Sequence, residues 1–241
     1  MLKDNFFLKN KFKKYVHLFL LFVVSPNKNK IKFLSALKKS NSQLHQDLFV
    51  LMLLDFKKHG FFVEFGACDG LYLSNTLMLE KSYDWNGILS EPCRTWHSEL
   101  INNRTALVDL RCVWRSSRES ITFFEDIGDS AFSSIYNSKK NNVVKKDYNE
   151  VDYIVESISL NDLLCQHNAP SNIDFLSIDT EGSEFDILSN FNFTEYSIKV
   201  ICVEHNYSSS RDDIFNLLTR NGYKRKFRFL SRFDDWYVLD N

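Results

Sequence analysis

Phe61-Phe-Val-Glu-Phe-Gly-Ala-Cys-Asp-Gly70 decides how this chain is read. Its first half is an apolar run carrying a single acid, Glu64, the pattern of a strand buried on both faces of a parallel sheet. Its second half is a turn in which Gly66 and Gly70 remove side chains where a ligand would approach the backbone. Beyond it, the spacing of Leu73, Leu77 and Leu79 predicts a helix over Tyr72–Lys81. Buried strand, glycine turn and helix make the first βα unit of a nucleotide-type site.

The glycine spacing narrows the ligand. A dinucleotide fingerprint needs G-x-G-x-x-G, and a P-loop ends in Gly-Lys-Ser/Thr. Here the pattern is Glu64-x-Gly66-x-x-x-Gly70, which is neither. S-adenosylmethionine carries no phosphate; it needs close backbone approach and carboxylates for an ammonium and a ribose, roles that Glu64 and Asp69 suit. The bland alternative is a glycine turn in some other α/β fold.

Working outward, Trp85-Asn-Gly-Ile-Leu-Ser-Glu-Pro92 reads as a second strand stopped by Pro92, with Glu91 at its carboxyl end. Ligands of open α/β sheets bind outside those ends, and an acid some 20 residues past the glycine turn can hold ribose hydroxyls; Glu91 follows Gly66 by 25. Ile173-Asp-Phe-Leu-Ser-Ile-Asp-Thr-Glu-Gly182 is another buried strand, delivering Asp179 and Glu181. Ile198-Lys-Val-Ile-Cys-Val-Glu-His-Asn206 repeats the device with Glu204, His205 and Asn206. Helices are expected over 43–59 (capped by Ser42), 95–103, 161–167, 183–191 and 209–221, and a third strand over 106–114. Short strands at 121–124 and 153–158 flank a polar insert, 125–149, of the kind that forms a substrate-facing loop. Tyr223–Phe229 and Trp236–Leu239 close the chain as an antiparallel pair.

The 241 residues suffice for one α/β core. Net charge is −1, which implies no nucleic-acid partner, but it is unevenly spread. Residues 1–40 hold ten lysines and one acid, leaving 20 basic and 30 acidic side chains for the rest. The chain thus divides into a basic helical segment, 1–41, and a domain, 42–241. The apolar run Leu18–Val24 is too short to span a bilayer, which takes about 20 residues, and no small-x-small cleavage site follows it. Two readings stand for this segment: an amphipathic helix on an anionic membrane surface, or a helix packed on the domain with its lysines in water. Five scattered cysteines without C-x-x-C spacing suggest reduced thiols and a cytoplasmic setting, with membrane association through the basic head.

Alternating strands and helices ending in an antiparallel pair predict a doubly wound sheet with a reversed edge strand and helices on both faces. The acids Glu64/Asp69, Glu91, Asp179/Glu181 and Glu204/His205/Asn206 then meet at one sheet edge. Methyl transfer to a hydroxyl needs the nucleophile aligned and its proton removed. Asp179, Glu204 and His205 could bind a divalent cation such as Mg2+; His205 or Asp179 could act as base without metal; or His205 could simply orient Glu204.

These stretches, with Leu73-Ser-Asn-Thr-Leu77, Leu176-Ser-Ile-Asp-Thr-Glu-Gly-Ser-Glu184 and Val203-Glu-His-Asn206, resemble the FkbM-type methyltransferases, in the branch that includes the Star-like proteins. The resemblance runs from about Ser42 to Val238. It implies a Rossmann-like class I methyltransferase fold, S-adenosylmethionine as donor, and O-methylation of a hydroxyl, commonly of a sugar in a glycan. By position, Glu64, Gly66, Ala67, Asp69, Gly70, Asn75 and Glu91 would hold the cofactor. Asp179, Glu204 and His205 would be catalytic, and Glu181 and Asn206 would meet a small-molecule or glycan acceptor. Cys68 stands where the family commonly has Asn, and the lysine-rich head has no clear counterpart there. The competing class is a non-catalytic, Star-like trafficking or binding protein that keeps the fold.

Overall fold

A computed structural model of the chain describes residues 20–126, 130, 133–135 and 150–240. The lysine-rich stretch through Phe19 and most of the 125–149 insert lie outside the described residues. Among the described residues eleven strands run in chain order: β1 Phe61–Phe65, β2 Asn86–Ser90, β3 Leu107–Asp109, β4 Cys112–Trp114, β5 Ser120–Asp126, β6 Ser134–Ile135, β7 Glu150–Ser159, β8 Asn172–Ile178, β9 Ser197–Glu204, β10 Tyr223–Lys226 and β11 Asp234–Leu239. The α-helices are α1 Lys30–Leu37, α2 Gln46–Leu53, α3 Leu77–Tyr83, α4 His97–Asn103, α5 Leu160–Gln166, α6 Glu184–Ser189 and α7 Ser210–Arg220.

The main sheet has the order β10-β11-β9-β8-β1-β2-β3. Neighbours from β9 to β3 pair in parallel, and β11 runs antiparallel to both β9 and β10. Order reverses about β1, the place where α/β sheets open a binding crevice. A reversed strand slotted in beside the fifth parallel strand makes this the Rossmann-like class I methyltransferase arrangement expected from the sequence.

The central strands sort their side chains by the two-residue period of the pleat. Phe62, Leu89, Phe175, Val200 and Cys202 enter a core shared with α1, α2 and α3. Their neighbours Val63, Phe65, Ile88, Leu176, Ile201 and Val203 enter the opposite core, under α5, α6 and α7. Both faces are therefore covered, which is why these strands read as unbroken apolar runs.

Several boundaries differ from expectation. The predicted strand 106–114 breaks at Leu110-Arg111: β3 ends the main sheet, and β4 starts a second sheet of order β4-β7-β5-β6. The predicted helix 72–81 is only α3, because residues 71–76 form turns instead. The predicted helix 43–59 is only α2. Its cap residue is His45, left-handed at φ 62, while Ser42 Oγ accepts from the Asp47 amide. The described part of the basic head packs on the domain: Leu21, Phe33 and Ala36 are buried in one core with Leu48 and Phe49 of α2. Among the described residues no helix is long and apolar enough to cross a membrane.

Candidate active site

The carboxyl ends of β1, β2, β8 and β9 open on one cavity of about 310 Å3. From the acids and glycines named in the sequence, Glu64, Gly66, Asn75 and Glu91 line one part of it, and Asp179, Glu181, Glu204 and Asn206 another. Ala67, Asp69, Gly70 and His205 are not in its lining.

The glycines serve packing. Gly66 has φ +72, and a Cβ there would lie 2.0 Å from the carbonyl oxygen of Asp179, so the glycine lets β1 and β8 end side by side. Gly70, at φ +79, leaves room for Arg104 and Leu100 rather than for a ligand. Asp69 shapes the same turn, its Oδ1 accepting from the amides of Leu71 (2.8 Å) and Tyr72 (2.6 Å).

Glu64 is also occupied. Its carboxylate accepts from Ser74 Oγ (3.0 Å), the Asn75 amide (2.6 Å) and Thr76 Oγ1. The fully buried Arg104 guanidinium lies 3.7 Å from it and donates to Ser74, Thr76, Gly70 and Glu80. Glu64 therefore shapes the 70–76 loop and sets Asn75 over the cavity. Asn75 Nδ2 donates to Ser177 Oγ at 2.9 Å, but its Oδ1 is buried without a partner. A buried amide oxygen without a donor is costly, and it marks a place where a ligand's N–H would be welcome.

Glu91 sits where the strand-end reading put it. Its two oxygens accept from the amides of Cys68 and Cys93, each at 2.8 Å. Burial, reinforced by the charges of Asp179 and Glu125, pushes its carboxyl up to about 7 against those amide hydrogen bonds.

Asp179 and Glu204 face each other across β8 and β9 and share a hydrogen bond, which two carboxyl groups can make only by keeping a proton between them. Burial raises both, with the charges of Asp179 and Glu181 adding to it at Glu204 and those of Glu184 and Glu64 at Asp179, and the pair shares one proton. Glu181, left-handed at φ 55, joins them: ligand atoms of Asp179, Glu181 and Glu204 lie within 4.8 Å of one another. The loop that presents them is pinned by Glu184, whose Oε1 accepts from the amides of Thr180 (3.1 Å) and Gly182 (3.0 Å).

His205 departs from its expected roles as catalytic residue and metal ligand. It is buried; its Nε2 contacts the Asp234 carbonyl at 3.1 Å, and its Nδ1 accepts from the Tyr207 amide at 2.9 Å. Both ring nitrogens are spent on the backbone, and burial lowers its pKa, so the ring is neutral and turned away from the cavity.

With this geometry in view, the sequence profile of the Methyltransferase FkbM domain matches residues 64–225. The chain belongs to the FkbM methyltransferase family. It is a methyltransferase that uses S-adenosylmethionine. The precorrin-6y C5,15-methyltransferase of Geobacter metallireducens GS-15 has a similar structure, at 11% identity and TM-score 0.42, over 75% of this chain and 71% of that one. No curated protein matches this chain.

The FkbM cavity suits this cofactor. Among the described residues its lining contains six carboxyl groups and no lysine, arginine or histidine, which favours a cationic sulfonium. The unpartnered Asn75 oxygen can take the ammonium of the methionine end, and Glu91 can accept from ribose hydroxyls. The cavity also has walls that the sequence reading missed. Gln43 and Gln46 come from the entry to α2; Phe123, Ser130, Ser133 and Ile135 come from the second sheet and its loop. Asp234 carries no strand-end signal in the sequence, because it opens β11 instead of closing it. In a reversed strand the amino end lies at that edge, and Asp234 is in register with Glu204. It accepts from Gln46 Nε2 at 2.7 Å, and burial pushes it up to about 7.

Proposed function

We propose that this FkbM enzyme transfers the methyl group to a hydroxyl of an uncharged sugar, in a glycan or a smaller saccharide. The supporting observation is the lining itself. Carboxyl groups and amides (Asp179, Glu204, Gln43, Gln46, Asn206) share the wall with the rings of Phe123 and Phe233. Sugar hydroxyls donate to such groups, and the apolar faces of sugar rings lie on aromatics. Among the described residues, the lining offers no cation to a phosphate or carboxylate on the acceptor.

When bound, S-adenosylmethionine supplies an electrophilic methyl group on a sulfonium. Asp179 then accepts the acceptor's hydroxyl proton, while protonated Glu204 holds Asp179 in place. Phe123 and Phe233 orient the sugar, and the second-sheet wall excludes water. A divalent cation, if used, would lie among Asp179, Glu181 and Glu204.

The test is methyl transfer followed by mass spectrometry, with neutral, amino and acidic saccharides, with and without magnesium after chelation. Calorimetry with S-adenosylhomocysteine runs in parallel. Asp179→Asn should bind the cofactor product normally and lose about 10²–10⁴-fold in kcat. Glu204→Gln should keep most activity, since it imitates the protonated acid. Glu91→Ala should lose cofactor binding itself. Preference for acidic saccharides, or full activity in Asp179→Asn, would sink this reading.

A further inference from the structure

The N-terminal layer has two faces. Inward, Leu21, Phe33 and Ala36 are fully or nearly fully buried on α2. Outward, the layer shows solvent a set of aliphatic side chains: Ile31 is 83% exposed, Val23 52% and Leu34 50%, with Leu20 and Val24 also exposed. Ile31 and Leu34 are three residues apart on α1, so they share one helical face, and Lys38, four residues past Leu34, follows on it; Lys28, in the turn before α1, is paired with Asp55 at 2.8 Å. Residues 20–39 hold five lysines and no acid, and residues 1–40 together hold ten lysines against one acid. The rest of the chain has the opposite charge balance.

We propose that this outer face docks the enzyme on an anionic lipid bilayer. The aliphatic side chains would enter the boundary between headgroups and acyl chains, with the lysines at the phosphate level. Charge decides against a second copy of the chain as occupant. Two such faces brought together would set lysines against lysines. The two readings of the basic head are thus compatible: one side packs on the domain, and the other is left for a surface. Asn41 Nδ2 donates to the carbonyl of Leu71, and Gln43 lines the cavity, so the docked layer leads directly into the site wall.

Vesicle co-sedimentation of the full chain tests this, using phosphatidylcholine alone and phosphatidylcholine with phosphatidylserine. The chain should pellet with the anionic vesicles only and be released by high salt. Ile31→Asp with Leu34→Asp should abolish pelleting without lowering the melting temperature or S-adenosylhomocysteine binding, because both side chains are exposed. Lys38→Ala with Lys39→Ala, both exposed, should weaken binding roughly 30-fold. Lack of pelleting with anionic vesicles would overturn the proposal, as would pelleting that survives the aspartate pair. A chain that ignores vesicles but dimerises, and becomes monomeric with that pair, would show the face to be a self-interface instead.

Discussion

Gly66 shows how one residue can be read correctly for an incomplete reason. The sequence marks it as a place where backbone and ligand approach; the structure adds that the nearest obstacle to a side chain is the carbonyl of Asp179, on the neighbouring strand end. Gly66→Ala should therefore destabilise the fold by roughly 2–5 kcal/mol, through its left-handed backbone and an overlap that only the backbone can relieve. Urea unfolding measures this, and a change below 1 kcal/mol would contradict the close approach. His205 shows the limit of reading at this scale. Its place at the end of β9 was legible, but the direction of its ring depends on the Phe233-Asp234 backbone, 29 residues further on. Asp234 was invisible for a related reason, since only the sense of β11 tells which of its ends meets the site.

At the scale of elements, the loop between β1 and α3 is held by charge and not by helical propensity. Ser74 and Thr76 spend their hydroxyls on Glu64 and Arg104, so the expected first turns of the helix never form. Arg104 lies on the far side of the following βα unit, and no local pattern announces it. Arg104→Ala would leave Glu64 buried without its cation, and Glu80 with Lys81 alone, and should cost about 3–5 kcal/mol. Loosening the loop should also weaken S-adenosylhomocysteine binding, through misplacement of Asn75. Chemical unfolding and calorimetry of the one variant read both effects; loss of stability with unchanged affinity would separate Asn75 from the cofactor. The strand–helix alternation and the antiparallel close were legible because each central strand is apolar on both sides. The departure of β4 was not, because Cys112, Val113 and Trp114 are as apolar as a strand of the main sheet.

For the whole molecule, the buried acids set a pH dependence. Glu91 and Asp234 keep their protons in the fold up to about 7, against ordinary values of 4.5 and 3.8. Between those limits the folded chain binds more protons than the unfolded one, so stability falls as pH rises through that range. Glu80 acts in the opposite sense. Against the burial that would raise it, the Thr105 amide and the Arg104 charge hold it down to about 2, and its contribution is lost as pH drops through its titration. The ligand-free enzyme should therefore melt highest near pH 5 and lower at both pH 3 and pH 8; a maximum above pH 7 would contradict the raised acids. Cofactor at about 100 times its Kd should add about 2.7 kcal/mol at any fixed pH, or roughly 5–10 °C in Tm.

The second sheet has a practical consequence. It leaves the main fold at Cys112 and returns at Ser159, and these two ends lie together because β4 and β7 pair in parallel, with Cys112 opposite Ser157 and Trp114 opposite Ser159. A segment that departs and returns at one doorway can be exchanged as a cassette. Residues 112–159 contribute Phe123 and Ile135 to the cavity but none of Glu64, Asn75 or Glu91. On the proposed reading of the site, swapping this block between members of the family should vary what is methylated while leaving the methyl donor's seat intact, which is the division a lineage needs to diversify its substrates without reinventing its chemistry.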